Sequence, residues 1–179
     1  MLPSAGDQGN TSGTYRQSMR LTTFSDYALR VLLYLTLDRT RLATIPEIAA
    51  AYGISQNHLM KVVHQLARAG VIETVRGKGG GIRLGRAPEA IRIGEVVRAT
   101  EGDAPIVECL SDDPHACRIA GTCKLTRVLV DAFAALYASL DRYTLADLTG
   151  NRNALSAILV APPARRTRSA AGRGASRVR

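Results

Sequence analysis

Tryptophan is absent from this chain of 179 residues and phenylalanine occurs only twice, so large aromatic rings cannot carry the core. Leu, Val, Ile and Ala must do so, in a sequence that is 46% apolar, and that palette favours helices. Long hydrophobic runs are also missing: Asp or Arg interrupts each one well before the roughly eighteen residues of a membrane helix. The leading segment "MLPSAGDQGNTSGTYRQS" lacks the apolar stretch of a secretory signal, so a cytoplasmic chain is expected. No Ser-His-Asp or paired-carboxylate arrangement can be placed, and the glycines of "GKGGG" are not followed by the Lys-Ser/Thr of a phosphate loop. An enzyme is therefore not expected. Cysteine is scarce and odd in number: three residues, which disulfide pairing would leave one short.

The scarcity of acid in particular places shapes the charge. Residues 165–179 hold six Arg and no acid, two-thirds of the net +9. Residues 19–100 hold twelve Lys or Arg against six acids, whereas residues 101–160 hold five against eight. The basic surface thus belongs to the first half and the tail, and a polyanion, nucleic acid first, is the natural partner.

At 19.2 kDa the chain is one modest domain with appendages. Residues 1–18, rich in Gly, Ser and Thr, read as a disordered extension, and 156–179 as a disordered Arg-rich tail. Within "TFSDYALRVLLYLTLD", Tyr27, Ala28, Val31, Leu32 and Leu35 recur at helical spacing, with Ser25 as N-cap and Asp26 in the first turn. "TIPEIAAAYGISQNHLMKVVHQLARAG" reads as two helices: Pro46 to Tyr52, a left-handed turn at Gly53, then a helix capped by Ser55 and ending near Gly70. That order is the helix-turn-helix signature. In "VIETVRGKGGGIRLGR", Val71, Ile72 and Val75 predict one strand, Ile82 and Leu84 another, with the glycines at the tip. A hairpin directly after the second helix is a wing. The expected fold is mainly α with a small β-hairpin: a winged helix-turn-helix DNA-binding domain over 19–100, a cysteine loop over 101–124, and a long helix with a final turn over 125–155. A wing domain needs no such helix for its own core, and Leu125, Val128, Leu129, Phe133 and Leu136 give it a wide apolar stripe. It is expected to join two copies in a homodimer.

On the second helix of the motif the apolar positions face inward, which leaves Gln56, Asn57, His58, Lys61, His64 and Gln65 outward. Gln56 and Asn57 suit adenine, Lys61 guanine or phosphate, and His58 either. Arg76, Lys78 and Arg83 line the wing, where a glycine-rich tip lets cations approach a narrow groove.

All three cysteines lie in "CLSDDPHACRIAGTC", with seven residues between Cys109 and Cys117 and five between Cys117 and Cys123. Zinc held by these thiols and His115 is chemically sound, but zinc sites favour ligand pairs two to four residues apart and none occurs here. Widely spaced cysteines can instead wrap an iron-sulfur cluster. One iron would then need another ligand: Asp112, Asp113 or His115 from the loop, Asp26 from elsewhere, water or a small molecule. A weakly held ligand leaves iron open to a small reactive gas, the chemistry of a sensor. A redox switch of three free thiols is the plainer alternative.

Together, "MRLTTFSDYALRVLLYL", the helix-turn-helix and wing, the cysteines and "LDRYTLADL" resemble the NsrR family of nitric-oxide-sensing iron-sulfur repressors. These belong to the winged-helix superfamily that also includes IscR and RirA. The likeness covers about residues 19–148, and "NHLMKVVHQL", "RGKGGG" and "DRYTLADL" are its most specific parts. It implies a homodimer that binds a palindromic operator on double-stranded DNA while a [4Fe-4S] or [2Fe-2S] cluster is intact, represses nitric oxide detoxification genes, and releases DNA when nitric oxide reacts. Cys109, Cys117 and Cys123 match the family's ligands, and Asp26 sits where some members supply an acidic ligand from the other subunit. Two alternatives remain: a regulator answering iron or cluster status, and a zinc-stabilised interaction module.

Overall fold

The computed structural model describes residues 20–102, 105, 107–113, 117–119 and 122–160. The expected extension, the Arg-rich tail from 161 onward, and His115 lie outside the described residues. Among them run six helices, α1 (Thr23–Leu37), α2 (Ile45–Tyr52), α3 (Gln56–Arg68), α4 (Ile93–Glu101), α5 (Leu125–Leu140) and α6 (Arg152–Leu159), and two strands, β1 (Ile72–Val75) and β2 (Gly81–Leu84).

Helix α1 begins earlier than its sequence suggests. Thr22, in extended conformation, is the N-cap, and its hydroxyl accepts from the Ser25 backbone N–H at 3.2 Å. Ser25 is instead fully buried, with its Oγ 2.8 Å from Thr100 Oγ1 on α4. A hydroxyl committed to another helix cannot also cap its own. Helix α2 starts with a capping box between Thr44 and Glu47, Pro46 standing in the first turn where its missing N–H costs nothing. Gly53 ends it at φ 65°, and its N–H returns to the Ala49 carbonyl. Ser55 is the N-cap of α3 by position, without a side-chain cap bond.

The core gathers α1, α2 and α3 over the hairpin: Ile48, Leu59, Val62, Leu66 and Val71 are essentially inaccessible. Strands β1 and β2 pair antiparallel, Ile72 opposite Leu84 and Val75 opposite Gly81. Ala43 adds a short third rung, exchanging two backbone hydrogen bonds with Ile82 at 3.0 and 2.8 Å. Periodicity gave no hint of it, because a single bridging residue has no pattern. At the wing tip Gly77 and Gly79 take φ 101° and 79°, left-handed values that few other residues adopt.

Beyond α5 the chain returns to this core. Leu145 is fully buried, and its N–H donates to the Ile91 carbonyl at 2.8 Å. The boundary expected at 155 falls inside α6, which continues to Leu159. Leu155 and Leu159 pack against the core, and the Arg152 guanidinium donates to the Leu37 carbonyl at 3.0 and 2.6 Å, closing the end of α1. Two leucines one turn apart were too weak a signal beside an Arg-rich tail.

One ion pair sets an acid limit. Hydrogen bonds from the Arg41 guanidinium, opposed by partial burial and aided by the Tyr34 hydroxyl, lower Glu47 from 4.5 to about 2. Glu47→Ala is expected to cost about 1–2 kcal/mol at neutral pH, since both side chains are about a third exposed and solvent screens the pair. Because the folded carboxyl titrates below its unfolded value, its stabilisation is fully present above pH 4.5 and is lost as pH falls through about 2. Thermal melts of both proteins between pH 7 and 2 should show the gap closing along that range; a constant gap would assign the loss to packing.

Candidate nucleic-acid interface and cysteine loop

Helix α3 buries Leu59, Val62, Val63 and Leu66 and leaves Gln56, Asn57, His58, Met60, Lys61 and His64 exposed. The four expected base readers on this helix, Gln56, Asn57, His58 and Lys61, thus lie on one accessible surface at and after its N-terminus. His58 leans towards α1, its ring 6.2 Å from that of Tyr27, and with Lys61, Phe24 and Tyr27 it borders a groove of about 410 Å³. Gln65 does not join them. Its Nε2 donates to the Ala99 carbonyl at 3.1 Å, so this side chain binds α3 to α4 instead of facing solvent.

The wing cations differ among themselves. Arg76 and Lys78, at the tip, are exposed and have no ion-pair partner among the described residues. Arg83 stands opposite Glu73 in the strand register and is paired with it, Nη2 to Oε2 at 2.7 Å and Nε to Oε2 at 2.9 Å. It also lines a pocket of about 170 Å³ with Asp38, Arg39 and Arg41. Arg76 and Lys78 therefore offer a polyanion the more available charge.

The last turn of α4 is hydrogen-bonded to both α1 and α3. Beside the Gln65 bond and the buried Ser25–Thr100 pair, Glu101 Oε1 accepts from the Thr22 backbone N–H at 2.8 Å and from its hydroxyl at 3.2 Å. Thr100 also donates to the Val96 carbonyl at 2.9 Å. The cysteine loop follows this turn, which these hydrogen bonds tie to α1 and α3.

Cys109, Cys117 and Cys123 are all free thiols, each half-buried. Cys109 follows the first residue of a 3-10 turn at Glu108–Leu110, and Thr126 in the first turn of α5 donates to its Sγ at 3.2 Å. A hydroxyl donor on sulfur suits a thiolate ligand. Three unpaired thiols in one loop fit an iron-sulfur cluster as a donor set. Among the described residues, however, no three metal-ligating side chains converge. Asp112 and Asp113 are exposed in the same loop. Asp26, half-exposed in the first turn of α1, is held by Arg30 one turn on, Nη2 to Oδ2 at 2.9 Å and Nε to Oδ1 at 3.1 Å. It belongs to no group of three metal-ligating side chains among the described residues.

Helix α5 spans the predicted stripe without burying any residue. Leu125 and Val128 remain 57% and 59% exposed. Its C-terminal end is anchored to α4, where Arg98 pairs with Asp141 at 2.7 Å and lies 5.1 Å from the centre of the Tyr137 ring.

A helix pair turned by glycine, followed by a basic hairpin and a long accessory helix, defines a winged helix-turn-helix transcriptional regulator. The family described as "Rrf2: Iron-dependent Transcriptional regulator" matches residues 21–151, and the chain belongs to it. It is 50% identical over 142 residues to the HTH-type transcriptional regulator NsrR of Bacillus subtilis (strain 168), covering 79% of this chain and 97% of that one. It is 44% identical over 146 residues to the NsrR of Halalkalibacterium halodurans, covering 81% and 100%. Among solved structures, CymR, the global cysteine regulator of B. subtilis, has a TM-score of 0.56 at 29% identity over 74% of this chain and 98% of its own. T. potens IscR shares the fold, with a TM-score of 0.60 at 24% identity over 75% and 88%. These relatives are regulators that act on transcription, not enzymes. No helix among the described residues is long and apolar enough to cross a membrane.

Proposed function

We propose that this chain is a cytoplasmic, homodimeric repressor that binds a palindromic operator while holding an iron-sulfur cluster and releases it on meeting nitric oxide. The observation that carries the reading is the position of the free thiols, between the last turn of α4 and the exposed helix α5. Likeness to NsrR regulators over 79% and 81% of the chain supports it. Cys109, Cys117 and Cys123 would hold the cluster, and Asp26 of the other subunit would complete it. When bound, the cluster supplies iron that nitric oxide attacks. The chain's own part is mechanical: the loop holds its position through Thr126 and α5, and α4 passes any shift to α3 through Gln65 and to α1 through Thr22 and Ser25. In the DNA complex, Gln56, Asn57, His58 and Lys61 would meet base edges, while Arg76, Lys78 and Arg83 would meet phosphate.

The family's description as iron-dependent favours a second reading, in which iron or cluster supply is the signal. Anaerobically purified protein, with iron and sulfide counted, separates the two in a DNA-binding assay. Release by a few equivalents of nitric oxide with iron in excess supports the first reading; release only by an iron chelator supports the second. One zinc and no labile sulfide would remove both. In the same assay Asp26→Ala should keep three thiolate ligands yet change the visible spectrum and shift the nitric oxide dose. An unchanged spectrum and dose would leave Asp26 as the partner of Arg30 alone.

A further inference from the structure

We propose that Met60 reads the methyl group of a thymine in the major groove of the operator, a specificity contact beside the polar readers of α3. The assignment rests on α3 being the helix that enters the groove. Met60 is 50% exposed, although its neighbours Leu59, Val62 and Val63 are almost wholly buried. It lies one turn after Gln56 and one turn before His64, both exposed, and directly precedes Lys61. The thioether is therefore part of the same surface as the polar residues of the helix, not an edge of the core.

A flexible apolar side chain has one apolar target in the major groove, the thymine C5-methyl group. Hydrogen-bonding side chains distinguish bases by donors and acceptors, and a thioether offers only a weak acceptor. Met60 would thus add a distinction that Gln56 and Asn57 do not make, favouring thymine where the flanking amides fix the register. An aliphatic side chain at this position would serve in the same way, whereas a shortened one would not reach.

The test uses the cluster-loaded full chain and an operator selected from a random duplex pool. Each thymine of that operator is replaced singly by uracil, which keeps every hydrogen-bonding group and lacks only the methyl. At one thymine per half-site, the wild type should bind about fourfold less tightly after replacement, the equivalent of one buried methyl group. Met60→Ala, which removes the contact in both half-sites, should lose roughly sixteenfold on the unmodified operator and show no further loss with uracil there. Met60→Leu should keep the uracil sensitivity, and circular dichroism should report unchanged helix for both variants. If uracil costs the wild type nothing, or costs Met60→Ala as much as the wild type, the Met60 assignment is overturned while α3 remains the reader. If no sequence is enriched, or Asn57→Ala and Lys61→Ala bind the selected operator like the wild type, the reading of α3 itself fails and the assignment fails with it.

Discussion

Cys117→Ser is expected to yield a colourless protein, with iron and sulfide lost and operator affinity lowered at least about a hundredfold, towards the level of nonspecific binding. The helical content should be unchanged. Cys117 is half-buried in the loop and is not part of the core, which consists of residues from α1–α4, the hairpin and the returning segment at Leu145. The effect on DNA would arise because the loop, once released from its cluster, no longer holds the last turn of α4 in register with Gln65 and Ser25. Anaerobic absorbance, metal counts and DNA-binding titration give the result together. Tight, nitric-oxide-responsive binding by the serine variant would remove Cys117 from the ligand set.

On the proposed homodimer, Val128→Glu should give a monomer and weaken operator binding as strongly. Among the described residues helix α5 buries none of its side chains, and Val128 is 59% exposed. A carboxylate enclosed unpaired in an interface costs about 3–5 kcal/mol, enough to raise a dimer dissociation constant by about two to four orders of magnitude. An operator with two half-sites would then be met one head at a time. The protomer itself should melt as before, because the substituted position faces away from its core. Light scattering on a size-exclusion column checks the mass, and a variant that remains dimeric and binds normally would place the interface elsewhere.

Much of the head was legible from spacing alone. The 3.6-residue recurrence of Leu59, Val62 and Leu66 named the buried face of α3, and Pro46 and Gly53 marked the start and the end of α2, because caps and left-handed turns are set by neighbouring residues. The ends were less legible. Thr22 and Ser25 are both good N-cap residues, and only the presence of Thr100 against Ser25 decides between them. Gln65 looked like its exposed neighbours because helical periodicity places it near the boundary of the buried face. The carbonyl of Ala99, 34 residues away, settles its role.

From the sequence by itself came the winged helix, the basic hairpin, the three-thiol loop and the apolar length of α5, since each is written in local pattern or residue chemistry. Tertiary structure alone decided which groups answer one another across the chain: Ala43 with the wing, α6 with the end of α1, Arg83 with Glu73 rather than with free solvent, and α4 as the link between the loop and α3. Periodicity tells which face of an element is covered but not what covers it. That choice belongs to residues far apart in sequence, and only the folded chain brings them together.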